Sequence, residues 1–175
     1  MAPTLREADA DDAEALAELA SSAFRAAFAH LNTPEDMASY TASAFSVPTT
    51  RVELADPAST FLLADADGDL WGYAKLRRES AASCVSGEHP VELQRIYTAS
   101  DRKGLGVGTA LLEACISRAR TEGYRTLWLG VWEHNQSSID FYQYKGFTKV
   151  GSHDFMLGTA RQTDFIMQLN LEATT

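Results

Sequence analysis

An alternating segment at 91–98 runs into Lys103-Gly104-Leu105-Gly106-Val107-Gly108 and then into an amphipathic stretch at 106–122. This strand, glycine turn and helix constrain the fold more than any other part of the chain. Glycine at every second position strips side chains from a turn, so that a ligand or another backbone can approach closely. Behind the turn, Val107, Leu111, Leu112, Cys115, Ile116 and Ala119 recur at helical spacing, and Gly123 ends the helix. The first turn of such a helix carries N–H groups without intrahelical partners and a partial positive charge. The unit therefore suits an anion, with phosphate or pyrophosphate as the candidate. Two dinucleotide patterns fit it poorly. A Rossmann fingerprint needs G-x-G-x-x-G after the first strand, whereas the spacing here is G-x-G-x-G after a late strand. A P-loop needs Gly-Lys-Ser/Thr, and Gly108-Thr109-Ala110 supplies no lysine.

The remaining periodicities predict a strand at 4–7 and a helix to Phe28, capped by Asp9 or Asp11. A second helix starts with Thr33 as cap and Pro34 in its first turn and runs to about Phe45. Residues 48–55 are ambiguous, a short third helix being one reading. Strands at 60–64 and 70–77 flank the turn Asp67-Gly68-Asp69 as a hairpin, and 79–90 reads as a loop. After the glycine unit come a strand at 126–132, a helix at 135–145 stopped by Gly146, and strands at 147–153 and 164–169. The order βααβββαβαββ predicts a mixed α/β sheet. At 175 residues, one domain spanning 1–175 is the expectation.

The formal charge of −9 lacks the basic footprint of a general nucleic-acid binder. It suits a cationic substrate, and it equally suits plain solubility. Cys84 and Cys115 lie far apart and the four histidines are scattered, so no metal-ligand spacing is present and no metal is expected. The first residues lack the basic start and apolar core of a secretory signal. No apolar run approaches the ~20 residues of a membrane helix. The expected setting is cytoplasmic, with reduced thiols and no membrane.

Downstream, Trp128-Leu-Gly-Val-Trp-Glu-His-Asn135 is a strand ending at an asparagine. Tyr142 follows seven residues after Asn135, about two helical turns on, so the two side chains point the same way. Asn135 reads as a helix N-cap or a ligand contact, and Tyr142 as a core residue or a site residue. The cap and ligand readings are compatible.

Taken together, Ile96-Tyr-Thr-Ala-Ser-Asp-Arg-Lys-Gly-Leu-Gly-Val-Gly-Thr109 and Asn135-x-x-Ser-x-x-Phe-Tyr-x-x-x-Gly-Phe147 resemble the GNAT (Gcn5-related) N-acetyltransferases. Lys103 stands at the family's Gln/Arg position, keeping the charge but not the bidentate fork of arginine. Within the family, Asn32-x-Pro-Glu-x-Met-x-x-Tyr40, Trp128 to Asn135, Gly151-x-His153 and Gln162-Thr-Asp-x-Ile-Met167 are similar to the bacterial PaiA-type spermidine/spermine N-acetyltransferases. The resemblance implies an α/β GNAT fold. Its central sheet is mixed and mostly antiparallel, of about seven strands flanked by helices, and splayed between the fourth and fifth strands.

It also implies acetyl-CoA as cosubstrate and a small polyamine as amine acceptor. The backbone of Gly104, Leu105, Gly106, Val107, Gly108 and Thr109, beside Lys103, would receive the pyrophosphate. The backbone of Ile96, Tyr97 and Thr98 would pair with the pantetheine arm, and Asn135 would hydrogen-bond it. Tyr142 would be the general acid that protonates the departing thiolate. For the base, strand alternation puts Glu92 on one face with Gln94, Ile96 and Thr98. Gln94 is an amide and cannot accept the proton as a base, so Glu92 is the nearest carboxylate, with Glu133 the competitor from the other strand's end. Glu35 and Asp36 would pair with a distal ammonium, Tyr40 would stack on it, and His153 and Phe155 would line the opposite wall. Two alternatives stay open: a protein α-amine or lysine acetyltransferase on the same fold, and a non-catalytic acyl-CoA sensor. The resemblance also leaves a homodimer open, because many relatives are dimers, while the chain itself carries no symmetric signature.

Overall fold

The computed structural model describes residues 2–172. Its strands are β1 (Thr4–Glu7), β2 (Ser59–Ala66), β3 (Asp69–Arg77), β4 (Pro90–Thr98), β5 (Thr126–Trp132), β6 (Thr148–Leu157) and β7 (Ala160–Asn170). Its helices are α1 (Ala13–Phe28), α2 (Pro34–Ala44), α3 (Val47–Ala55), α4 (Val107–Thr121) and α5 (Gln136–Tyr144). The mixed sheet is observed, and so is the expected order with one helix, α3, added. The ambiguous segment is a helix, because Ser46 caps it by accepting the Thr49 N–H and Pro48 sits in its first turn. The last two strands are longer than the apolar pattern suggests. They continue past His153 to the turn at Gly158, with Arg161 paired to Asp154 across the hairpin.

One sheet runs β1-β2-β3-β4-β5-β7-β6. All neighbours are antiparallel except β4 and β5, which run parallel. That parallel pairing lasts only three residues, Pro90 with Thr126, Val91 with Leu127 and Glu92 with Trp128. Beyond Glu92 the strands part, while β4 continues to Thr98 and β5 to Trp132. The expected splay thus has its vertex at Glu92.

A bulge in β4 accompanies the opening. Lys75 faces Arg95 and Leu76 faces Leu93, so Gln94 is the extra residue. A bulge bends its strand and interrupts alternation. Val91 and Leu93 lie in the core under α4, and after the bulge Ile96 packs against that same core while Tyr97 joins the opposite one. The single face expected for Glu92, Gln94, Ile96 and Thr98 therefore does not exist. Glu92 lies on the face away from α4, and Ile96 lies on the face toward it.

Both faces of the sheet are covered. On one, Leu111, Leu112 and Cys115 of α4 and Ile139 of α5 pack on Leu127, Leu129, Val91 and Leu93. On the other, Leu16, Leu19 and Phe24 of α1 and Met37 of α2 pack on Phe61, Leu63 and Tyr73. Cys115 is a core residue, as its place on the helix predicts, and burial pushes its thiol up to about 12. Among the described residues no helix is long and apolar enough to cross a membrane.

Candidate active site

The open strands lead into a cleft of about 1290 Å³ that passes from the start of α4 to the aromatic side of α1 and α2. At its α4 end lies the glycine turn. Gly104 and Gly106 both have φ near +80°, a left-handed conformation that a side chain would strain, and nothing lies within 4 Å of a Cβ built on either. The shape of the turn, rather than crowding within the protein, demands glycine at these two positions. Gly108 has ordinary backbone, and a Cβ there would meet only the Thr98 hydroxyl at 3.8 Å, so its bare surface leaves the floor open.

Capping explains why this helix start can take a ligand. Thr33, Ser46 and Asn135 each cap α2, α3 and α5 with a side-chain oxygen. The α4 cap position is Gly106, which has no side chain to offer. Its first-turn N–H groups therefore face the cleft, where Gly106, Val107, Gly108 and Thr109 are wall residues. Lys103 and Arg102 flank the turn, with the Arg102 guanidinium 4.7 Å over the Trp71 ring. Leu105 is on the outside, 56% exposed, so only its backbone belongs to the turn.

Ile96, Tyr97 and Thr98 line the next stretch of the cleft, on the edge that β5 leaves unpaired. Asn135 and Tyr142 face it from α5, so the two-turn spacing does bring them to one wall. Asn135 is both cap and wall residue. Its Oδ1 accepts the Ser138 N–H at 3.3 Å, which leaves its amide donors over. Tyr142 is 7% exposed and its ring packs on Phe141 and Phe147. Burial, with a smaller effect of neighbouring Cys115, pushes its phenol well above the ordinary value, so it stays protonated.

At the vertex, Glu92 lines the cleft, and burial pushes its carboxyl above the usual range despite nearby Arg77 and Ser80. Beyond it, His153 and Asp164 sit opposite each other on β6 and β7, with Nε2 to Oδ2 at 3.6 Å. Burial raises the Asp164 carboxyl, and His153 partly offsets this. Sequence reasoning missed Asp164. The available signal was its place in the resembling motif Gln162-Thr-Asp-x-Ile-Met167, at the head of an apolar strand. Aromatic walls complete this end. Tyr40 stacks on Phe24 at 4.7 Å and meets Phe155 edge-on at 5.5 Å, and Phe28 meets Trp132 at 5.7 Å. Asn32 and Gln162, both within the resembling motifs, hydrogen-bond at 3.1 Å across the cleft wall.

Three expected acceptor residues are elsewhere. Asp36 accepts both the N–H and the hydroxyl of Thr159, at 2.8 and 3.0 Å, and these bonds hold its carboxyl below the usual range. It anchors the β6–β7 turn, where a Cβ on Gly158 would come within 2.4 Å of its Oδ1. Glu35 is exposed in the first turn of α2, outside the cleft. Glu133 also lies outside it. Its N–H donates to Thr163 O at 3.0 Å and its carboxylate lies 3.4 Å from His134.

A sheet parted over an uncapped helix start, open to a phosphate-bearing ligand, is an arrangement suited to an acyltransferase of the acetyl-CoA-dependent type. Its place among such enzymes follows from comparison: residues 14–147 match the acetyltransferase (GNAT) family, and the chain belongs to that family. It is 35% identical to an uncharacterized N-acetyltransferase of Lactobacillus delbrueckii subsp. lactis, over 83% of this chain and 84% of that one. It is 33% identical to the L-methionine sulfoximine/L-methionine sulfone acetyltransferase of Pseudomonas aeruginosa, over 63% of each. In fold it is similar to the PaiA N-acetyltransferase of Thermoplasma acidophilum, solved in complex with coenzyme A. That likeness has a TM-score of 0.78 and 24% identity, and covers 97% of this chain and 99% of that one.

Proposed function

We propose that this chain is a cytoplasmic N-acetyltransferase that moves acetyl from acetyl-CoA to a primary amine of a small polyamine. The observation that carries the acceptor class is the far end of the cleft, which Glu92 and Asp164 line together with Tyr40, Phe155 and Trp132. Half-buried carboxylates in a cleft with aromatic walls favour a cation over a neutral or anionic ligand.

The α4 N–H groups, with Lys103 and Arg102 nearby, take the pyrophosphate of the donor. Backbone from Ile96 to Thr98 holds the pantetheine arm as a further strand, and the Asn135 amide adds a donor. Glu92 draws the ammonium to the vertex and accepts its proton, and the neutral amine attacks the thioester carbonyl. A backbone N–H on the open β4 edge stabilises the oxyanion. When the C–S bond breaks, Tyr142 gives its proton to the sulfur; the second proton lost by the acylated nitrogen restores the phenol by way of solvent, and Glu92 releases the first. The burial that raises the phenol also makes an unsolvated thiolate demand that proton. One proton goes to the thiol and one to solvent per turnover.

The test is thiol release from acetyl-CoA against spermidine, spermine, 1,3-diaminopropane, propylamine, L-methionine sulfone and a peptide panel. Highest kcat/KM with the polyamines is expected. A preference for the amino-acid analogue or for peptides overturns the acceptor class. Tight CoA binding without turnover of any amine overturns catalysis and makes the chain a sensor.

A further inference from the structure

The described residues include several carboxylates with little or moderate exposure, and most are visibly occupied. Glu53 is paired with Arg95 and Lys75, Asp12 with Arg6, and Asp36 with the Thr159 N–H and hydroxyl. Two are not. No Lys or Arg among the described residues reaches Glu92 or Asp164 within 4.0 Å, and both line the cleft. The one basic group beside Asp164 is His153, an imidazole that is charged only when protonated. A carboxylate partly removed from water without a paired counter-ion is costly; Arg77 and Lys75 at longer range and the Ser80 hydroxyl offset part of that cost at Glu92, and a cationic ligand would recover more of it.

Backbone and packing keep the Asp164 carboxylate clear. Gly130 lies in the middle of β5 with no side chain, and a Cβ there would come within 3.2 Å of Asp164 Oδ2 and 3.6 Å of His153 Nε2. Gly130 thus leaves the pocket open between the Glu92 vertex and Asp164. It stands two residues along β5 from Trp128, the partner of Glu92. Two rises of ~3.3 Å and one strand spacing of ~4.8 Å put its backbone roughly 8 Å from that of Glu92. A short diamine fits this span. Tyr40 and Trp132 wall the same end, and Trp132 is the register partner of Asp164. Independently, Gln94 Oε1, at the bulge and on the cleft wall, is buried and accepts no hydrogen bond. An orphaned acceptor calls for a donor such as an ammonium, not for another anion.

We propose that Asp164 is a specificity-determining residue that anchors a second ammonium of the acceptor, while Glu92 serves the reacting one, so that the site selects diamines over monoamines. This rests on the polyamine reading above. His153 competes with that ammonium for Asp164 when it is protonated, and Gly130 keeps the carboxylate reachable.

The experiment compares 1,3-diaminopropane with propylamine, at saturating acetyl-CoA, in wild type and Asp164→Asn. The wild type should favour the diamine. In Asp164→Asn the ratio of kcat/KM for diamine over monoamine should fall about tenfold, carried by the diamine KM, as loss of about 1.4 kcal/mol of ion pairing requires. A wild type that prefers the diamine while Asp164→Asn keeps that preference overturns the anchor and leaves the polyamine reading standing. A wild type that treats both amines alike overturns the polyamine reading itself. Should Asp164→Asn fail to fold, Gly130→Ala makes the same test by setting a methyl against Oδ2 with every acid in place. The same fall in ratio is expected, and an unchanged ratio counts against the anchor.

Discussion

Glu53→Gln should destabilise the protein by several kcal/mol and make its stability depend more steeply on pH than that of the wild type. Glu53 takes a bidentate bond from Arg95 at 2.7 and 3.0 Å and lies 3.3 Å from the Lys75 ammonium. The three side chains are only 20%, 16% and 5% exposed for Glu53, Arg95 and Lys75. Removing the shared anion leaves two enclosed cations, and breaking a buried pair from one side costs about 3–5 kcal/mol. Lys75 limits that cost, because it can fold as the neutral amine. Surrendering a proton at pH 7 from a group of pKa ~10.4 costs about 1.4 kcal/mol per unit, or about 4.6 kcal/mol at most. Burial already lowers the Lys75 pKa in the wild type, with Glu53 opposing the shift. The variant loses that opposition, so its native state binds fewer protons at Lys75 than the unfolded chain does. Its stability therefore rises with pH between the lowered native value and ~10.4, by up to about 1.4 kcal/mol per unit. Urea denaturation from pH 6.5 to 9 measures both effects. At pH 7 the melting temperature should drop by roughly 6–20 °C for a chain of this size. Lys75→Met, which leaves the Arg95–Glu53 fork intact, should be near neutral. A Glu53→Gln protein within about 1 kcal/mol of wild type at pH 7, with no added pH slope, would refute the reasoning.

Two further outcomes bear on the chemistry. Tyr142→Phe keeps the ring packed on Phe141 and Phe147 and removes only the hydroxyl, so acetyl-CoA affinity should hold while kcat falls roughly 10²–10⁴-fold. Acetyl esters of more acidic thiols, which leave without protonation, should narrow that gap; equal turnover of acetyl-CoA by both proteins would remove Tyr142 from catalysis. Glu92 must be ionised to draw an ammonium, and burial raises its pKa, so the acid limb of kcat/KM should lie above the ordinary glutamate value of ~4.3. A raised carboxyl favours the folded state most when protonated, so wild-type stability relative to Glu92→Gln should decline as pH rises through that same window. An acid limb at or below ~4.3 would count against Glu92 as the group that must be ionised.

Much of this protein was legible before its structure, because the governing signals are local. Thr33 with Pro34, Gly123 and Gly146, and the helical spacing of Leu111, Leu112 and Cys115 each act within a few residues. The glycine turn likewise needed no tertiary information, since positive φ at Gly104 and Gly106 is a demand of the backbone itself. Asn135 and Tyr142 share a wall because one helix sets their spacing.

What only the tertiary structure decided depends on register and on contacts between distant segments. One extra residue at Gln94 moves Glu92 to the face opposite Ile96, and alternation along β4 gives no warning of a bulge. Asp36 has its charge spent on Thr159, 123 residues away, although by sequence it stands beside Glu35 as an equal candidate. Asp164 becomes a cleft residue because β7 pairs it with Trp132 and His153 while Gly130 leaves space in front of it. Helix caps and glycine turns are settled over a few bonds. The surroundings of a carboxylate are settled by which strands and helices close around it, and that depends on the whole chain.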